Sequence, residues 1–308
     1  MDKDQLLRLG PALDAFLESF AGCAVAPTRR LIATYVRGQL GSLPRKSVKP
    51  MAIEAGIPPR TLQEVLSLHR WDEDLLIALL QRRVRRGHAG AHVTGALFET
   101  RCVKKGDRTP GVARQACDSA LRPRNCVVLV HLALCDGDFA CLLDSAVYLP
   151  EAWAGDAGRR EAAGVPMETR FRSKSRIAAD LLKRAEANGL ALGRLVLPSE
   201  YASEGALADA LARGGRSHAA WPPSEDPDQV RSSGLSDEGR RQLLRAGTEA
   251  RGLIESRMRD VGLDHFEVRT FRSLTRHLAL SAASLLFLAE QGERSRRERG
   301  AHPVRSHA

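Results

Sequence analysis

The sequence lacks the features of several large protein classes. It contains no apolar run of the roughly eighteen residues that a membrane-spanning helix needs, and its start, MDKDQLLRLG, lacks the charged-then-apolar layout of a signal peptide. Its six cysteines form no CxxC pair, which argues against a zinc knuckle or a disulfide framework. No G-x-x-x-x-G-K-[ST] loop is present, so nothing suggests a nucleotide triphosphatase. We therefore expect a soluble cytoplasmic protein with no membrane partner.

The chain does carry a surplus of positive charge. Lys and Arg total 47 against 37 Asp and Glu, a formal net charge of +10. Such a surplus concentrates polyanions near the surface, and double-stranded DNA is the simplest partner, although surplus charge can also serve solubility alone. Clustering favours DNA, because the stretch RRVRR adds four candidate contacts, Arg82, Arg83, Arg85 and Arg86.

Residues 1–90 have the pattern of a small helical domain, since apolar residues recur near a period of 3.6. Within this domain the spacing predicts a helix that ends at Gly56, a turn, and a second helix from about Arg60. In a helix-turn-helix motif Arg60, Thr61 and Gln63 would approach a groove or phosphates of DNA. The alternative is an αα-hairpin with no DNA contact, and the sequence does not decide between them.

From residue 91 the pattern changes to β-type. Three runs rich in Val and Leu, separated by KKGDRTPG, RPRN and similar turn signals, predict an antiparallel meander. SKSRIAADLLKRAEANG then predicts a helix, and RLVLPSEY a further strand. The order β, β, β, α, β indicates an α/β (α+β) fold, a mixed sheet with flanking helices, over residues 91–291. Residues 216–235 have the composition of a linker, and 292–308 that of a disordered Arg-rich tail.

Several phrases, in this order, resemble the DDE-superfamily transposases of bacterial insertion sequences. They are LPRKSVKPMA, RTLQEVLSLHRWDED, VKKGDRTPGVARQ, NCVVLVHL, LLDSAVYLPEAW and GLDHFEVRTFRSLTRHLAL. The resemblance spans roughly residues 29–201 and 252–288 and implies a ribonuclease-H-like core. It also implies strand cleavage by two divalent cations, usually Mg²⁺, held by three acidic side chains on two strands and a late helix.

Two of the three acids are replaced when the family's motifs are matched to this sequence. Matching Lys104-Lys105-Gly106 puts Phe98 at the first Asp position, and matching Tyr201 puts Pro198 at the second. The third motif survives as Ile254-Glu255. Neither Phe nor Pro offers an oxygen ligand, so we expect no bound metal and no cofactor. The shortened segment before Glu255 further predicts a missing or rudimentary fifth strand.

Nearby glutamates offer an alternative metal site made of Glu99, Glu200 and Glu255. Alternation along a strand argues against it, because Glu99 points to the face opposite Phe98. Glu200 has the parity of Pro198 but lies about 6–7 Å further along an extended chain, too far for coordination at the same point.

The resemblance implies that Lys104 and Lys105, in the turn after the first strand, lie near a passing DNA backbone, although turn lysines are often merely solvated. The leading interpretation is a transposase-related protein that binds duplex DNA, and hence the nucleoid, without cutting it. One alternative is an active recombinase that uses the displaced glutamates. Another is a non-enzymatic partner that oligomerises with itself or a related transposase.

Overall fold

Helices form the first part of the chain, and strands begin at residue 90. The structure is a computed structural model, and it describes residues 9–117, 122–202, 205–221 and 235–301. The N-terminal helices are α1 (Gly10–Glu18), a 3-10 turn (Ala21–Cys23), α2 (Ala26–Leu40), α3 (Val48–Glu54), α4 (Pro59–Ser67) and α5 (Glu73–Gly87). The later helices are α6 (Glu151–Ala154), α7 (Ala157–Ala162), α8 (Lys174–Ala187), α9 (Ser199–Ala202), α10 (Gly205–Arg213), α11 (Asp237–Val261) and α12 (Phe271–Ala301). The strands are β1 (Gly90–Val103), β2 (Ala113–Ala116), β3 (Pro123–Asp136), β4 (Phe139–Val147), β5 (Leu192–Pro198) and β6 (Ser217–Trp221).

The described strands form one mixed sheet. Its order is β2-β3-β1-β5-β6, with β4 also paired to β3. β1, β3 and β4 pair antiparallel, whereas β5 and β6 run parallel to β1 and to each other. Along the chain, β1 to β4 are followed by helices α6 to α8 and then by β5, and the expected α/β (α+β) fold, a mixed sheet with flanking helices, is confirmed.

Two details of the strand prediction were wrong. The third β-type run forms two strands, because the Asp-Gly-Asp turn at 136–138 folds it into the β3–β4 hairpin. β1 pairs with β3 rather than with β2. β2 pairs with the first residues of β3. A five-residue strand, β6, also lies inside the segment predicted as a linker, so the sheet continues past β5. Residues 222–234 of that segment lie outside the described residues.

Local signals explain where the two helices on either side of the sheet begin and end. Ser173 caps α8 by accepting a hydrogen bond from the backbone of Arg176, and the helix ends before Asn188-Gly189 as predicted. Ser236 caps α11 in the same way through the backbone of Gly239. α11 buries a stripe of apolar residues against the sheet, among them Ile254 and Met258.

The N-terminal helices share one continuous hydrophobic core with the sheet. Buried side chains of α1 to α5, such as Leu13, Tyr35 and Leu62, belong to the same cluster as Leu97 of β1 and Phe287 of α12. α12 contacts α2, α4 and α5 on one side and β4 on the other. The C-terminal helix therefore joins the helical region to the sheet, together with α5, which also contacts β4.

Two polar side chains of α12 secure this junction. The Arg276 side chain is only 5% exposed, and it donates to the carbonyls of His69 (2.8 Å) and Trp71 (2.9 Å) and to Glu73 Oε2 (3.1 Å). His277 Nε2 donates to the carbonyl of Leu263, so its Nδ1 accepts from the Tyr35 hydroxyl at 2.8 Å. Burial lowers the pKa of His277 to about 4, which keeps the ring neutral.

The α3–α4 hairpin has the predicted order of helix, turn and second helix, although α3 ends at Glu54, two residues before Gly56. Gly56 takes a φ of +69°, a conformation that favours glycine, and α4 starts at Pro59. Leu62 and Val65 are buried, whereas Arg60 and Gln63 are exposed and Thr61 is half-buried. The outward side of α4 is thus open to a partner.

The C-terminal region differs from the prediction. Helix α12 continues to Ala301, so the segment predicted as a disordered tail is helical over residues 292–301, and residues 302–308 lie outside the described part of the chain. Within the described residues, no helix combines the length and apolarity needed to cross a bilayer. All six cysteines are free, and five of them are buried.

Candidate functional site

Three parallel strands lie side by side beneath α11, and one residue from each strand forms an apolar row. β1 and β5 pair in parallel with Ala96 opposite Val196, so Phe98 and Pro198, two residues further on each strand, come next on the same face. Pro198 in turn pairs with Trp221 of β6. Phe98 is fully buried and Pro198 is buried. We call Phe98, Pro198 and Trp221 the apolar row.

Helix α11 places a charged pair over the apolar row. The Arg251 guanidinium carbon lies 5.8 Å from the Phe98 ring centroid and 5.6 Å from that of Trp221. One turn further on, Glu255 Oε1 accepts a hydrogen bond of 2.7 Å from Arg251 Nε. Glu255 also lines a small surface cavity with Thr100 and Cys102, which lie two and four residues after Phe98 on β1. The strand register thus puts Phe98 and Pro198 on one face of the sheet, and on that face the Arg251 guanidinium contacts both Phe98 and Glu255.

Glu99 lies on the opposite face, where three donors surround it. Its carboxylate accepts hydrogen bonds from the Tyr201 hydroxyl (2.7 Å), Lys174 Nζ (2.8 Å) and Arg101 Nη2 (3.0 Å). The side chain is only 5% exposed. Burial, followed by the nearby Glu99 charge, raises the pKa of Tyr201, so the phenol remains a donor. Both carboxylate oxygens of Glu99 are thus hydrogen-bonded in this network, and the side chain does not face Glu255.

Glu200 is exposed on α9, the helical turn that follows β5, and its charge contributes to raising the pKa of Tyr201. The geometry thus does not bring Glu99, Glu200 and Glu255 together. Among the described residues, no group of three His, Cys, Asp or Glu side chains is placed to hold a metal ion. The donor set of this face, one carboxylate already paired with arginine, does not fit a site for two divalent cations.

His131, beside Phe98 on the neighbouring strand, belongs to the core of this face. Its two ring nitrogens lie 2.7 Å from the hydroxyl oxygens of Thr100 and Ser145, so both are satisfied. Burial lowers the pKa of His131 to about 3. A neutral, fully bonded ring is a structural group rather than a metal ligand or a proton donor.

The basic residues that the sequence suggests as DNA contacts divide into two groups. Lys104 Nζ donates to the carbonyls of Asp264 (2.9 Å) and Phe266 (2.8 Å) and lies over the Phe266 ring, and burial lowers its pKa. Arg83 forms two hydrogen bonds to Glu290 of α12, at 2.6 and 2.9 Å. Both side chains hold the fold together and are poorly placed to bind phosphate. The exposed candidates are Arg60, Gln63, Arg82, Arg85, Arg86 and Lys105.

Lys105 lies in an open groove that the sequence did not predict. The groove has a volume of about 780 Å³ and runs between the turn after β1 and the 264–269 loop. Its basic lining residues besides Lys104 are Arg45, Lys105, Arg108 and Arg269, and they outnumber its acidic ones, Asp107, Asp264 and Glu267, the last of which is paired with Arg45. Arg45 comes from the distant α2–α3 loop, and no sequence spacing could have shown that it joins the others here.

Arg251 and Trp221 are the site residues that sequence reasoning missed. The i, i+4 spacing of Arg251 and Glu255 on a predicted helix is a visible signal for their ion pair. The position of Arg251 over the apolar row depends on where α11 crosses the sheet, and that is a property of the fold.

One family profile and two solved structures are similar to this chain. A family profile described as DDE superfamily endonuclease matches residues 18–241. The crystal structure of the Mos1 mariner paired end complex with Mn is similar at 12% identity, covering 71% of this chain and 74% of that chain, with a TM-score of 0.23. The Mos1 strand transfer complex is similar at 15% identity, covering 71% and 73%, with a TM-score of 0.23. No curated protein matches the chain.

Proposed function

Because the chain belongs to the DDE superfamily endonuclease family, we propose that it binds double-stranded DNA and does not cleave it. The observation that carries the loss of cleavage is the apolar row beneath α11. Members of the family generally use divalent metal, and here the positions matched to two acids are Phe98 and Pro198, while the third, Glu255, is paired with Arg251. Because one carboxylate is left, we expect this face to bind no pair of Mg²⁺ ions and no other cofactor.

Two exposed surfaces support DNA binding. The outward side of α4, the second helix of the α3–α4 hairpin, presents Arg60 and Gln63 beside Thr61, which is the kind of surface that a recognition helix offers to DNA. The basic groove beside Lys105 offers a second set of cations that could contact phosphates. We assign the helical region, residues 1–90, as the main DNA-binding part, with Arg82, Arg85 and Arg86 of α5 as additional phosphate contacts. The region 91–291 is the inactive core.

The absence of cleavage gives the first prediction. The purified protein is expected to leave supercoiled plasmid intact in Mg²⁺ or Mn²⁺, because no pair of cations is held near a scissile phosphate. Conversion of supercoiled to open-circular plasmid on a gel is the measurement. Glu255→Gln serves as the control: nicking by the native protein that this variant abolishes would overturn the inactive assignment.

The basic groove gives the second prediction. Affinity for duplex DNA should fall steeply with salt, and Lys105→Ala should reduce the log–log slope by about 0.9 if Lys105 contacts one phosphate. Fluorescence anisotropy of a labelled duplex measures both. Arg213→Ala is the matched control, since Arg213 is an exposed basic residue at the end of α10 that does not line the groove. An equal slope in the two variants would remove the groove from the DNA interface.

The two alternatives have weaker support. An active enzyme using Glu99, Glu200 and Glu255 would have to turn Glu99 through the sheet and break its bonds to Tyr201 and Lys174. A non-enzymatic partner of itself or of a related transposase needs no DNA contact, and it would show flat salt dependence or no DNA binding. The anisotropy experiment thus separates this alternative from the proposal.

A further inference from the structure

The Arg251 side chain is partly buried and has three partners. It is only 36% exposed, and its guanidinium lies within cation–π distance of Phe98 and Trp221 while Nε is bonded to Glu255. Two aromatic faces and one carboxylate thus surround a single positive charge. The aromatic partners come from β1 and β6, and Pro198 lies on the strand between them.

This position coincides with the place where metal ligands would converge. Of the three positions matched to the family's acids, Phe98 and Glu255 both contact the Arg251 guanidinium, and Pro198 lies on β5, the strand beside Phe98. We propose that Arg251 acts as a built-in cation, taking the place of bound metal and keeping divalent cations from Glu255. This inference rests on the proposed function, in which the face has lost its metal site, and adds that the loss is reinforced by a fixed positive charge.

The physical argument is electrostatic. A dication at Glu255 would lie within a few ångströms of the guanidinium, and like charges at that distance repel strongly where water is partly excluded. Arginine also binds carboxylates in a two-pronged geometry. Aspartates introduced at residues 98 and 198 would therefore pair with Arg251 before they could hold a metal. Restoring the missing acids alone should not restore the metal site.

The experiment compares Mn²⁺ binding, followed by electron paramagnetic resonance, in variants of the full chain. Phe98→Asp with Pro198→Asp should bind Mn²⁺ weakly, and adding Arg251→Met should tighten binding about a hundredfold, because the repelling charge is gone. Adding Arg259→Met instead is the matched control, since it removes an exposed positive charge one turn beyond Glu255 and leaves Arg251 in place. Equal Mn²⁺ affinity in the double variant and the Arg251 triple variant, including no binding in either, would overturn the proposal.

A second pair of variants leaves the sheet unchanged, in case aspartates in the buried row prevent folding. Arg251→Asp and Arg259→Asp each place a carboxylate four residues from Glu255 and change the net charge equally. Only Arg251→Asp removes the guanidinium that is hydrogen-bonded to Glu255, so this variant should bind Mn²⁺ at least about tenfold more tightly than Arg259→Asp. Equal affinities would count against Arg251. Plasmid nicking by the native protein would instead count against the proposed function, so the two failures are distinct.

Discussion

Replacing Arg276 with Met is expected to lower the free energy of unfolding by about 3–5 kcal/mol, one of the two largest effects we predict for this chain. The guanidinium is almost fully buried and bonds to the carbonyls of His69 and Trp71 and to Glu73. Its carbon also lies 4.8 Å from the Trp71 ring centroid. Methionine fills similar space but leaves these acceptors buried without a donor, which costs more than the bonds themselves contribute.

Urea unfolding followed by circular dichroism measures this effect as a shift of the midpoint. Arg272→Met is the matched control, because Arg272 is exposed one turn earlier on α12, and a surface substitution there should change the free energy by about 0.5 kcal/mol or less. Arg276→Lys should recover little, since one ammonium cannot replace the separate guanidinium nitrogens that donate to the carbonyls of His69 and Trp71. Equal midpoints for the Arg276 and Arg272 variants would show that the network contributes nothing to stability.

The other large effect concerns pH. Burial lowers the pKa of His131 from its ordinary 6.5 to about 3 in the folded protein. Between these values the unfolded chain binds a proton that the folded one refuses, so the folded state loses stability as pH falls through this window. Relative to His131→Gln, whose amide does not titrate, the native protein should lose about 1.4 kcal/mol per pH unit, or about 3 kcal/mol between pH 6.5 and about pH 4.

The comparison with His131→Gln isolates this residue from other titrating groups. Asp144 acts in the opposite direction, because burial raises its pKa to about 6 and protonation then stabilises the folded state as pH falls. His277, with its pKa lowered to about 4, acts in the same direction as His131. Both contributions are present in both proteins and cancel in the difference. A difference in unfolding free energy that stays constant with pH would contradict the buried, neutral state of His131.

The sequence predicted most of the sheet and missed its last strand for physical reasons. Long Val- and Leu-rich runs and a well-capped helix gave β1, β3, β5 and α8. β6 escaped because Ser217–Trp221 is only five residues long and adjoins a Pro- and Ser-rich stretch, and its stability comes from pairing with β5 rather than from its own composition. The Arg-rich end of α12 was missed because its polar surface hides a helix that continues from a buried one.

The candidate site was only partly predictable. Family motifs located Phe98, Pro198 and Glu255, and strand alternation gave the correct face for Glu99. Which charged side chains are available to a ligand is a different question, and composition cannot answer it. Lys104 and Lys105 are adjacent in sequence, yet one binds two backbone carbonyls and the other is exposed. Nothing in the spacing of Arg251 could reveal the two aromatic rings beside it, since they come from strands about 150 and 30 residues away along the chain.

The distance between α11 and the sheet depends on a glycine, Gly247. A Cβ at Gly247 would come within 2.7 Å of Val196, so the helix can approach this closely only because residue 247 has none. Residues 251 and 255 follow one and two turns later on the same face, about 6 and 12 Å along the axis. A single methyl group at 247 would lift the helix and carry both charges away from Phe98 and Trp221. Glycine at residue 247 thus sets the distance between the sheet and the Arg251–Glu255 pair.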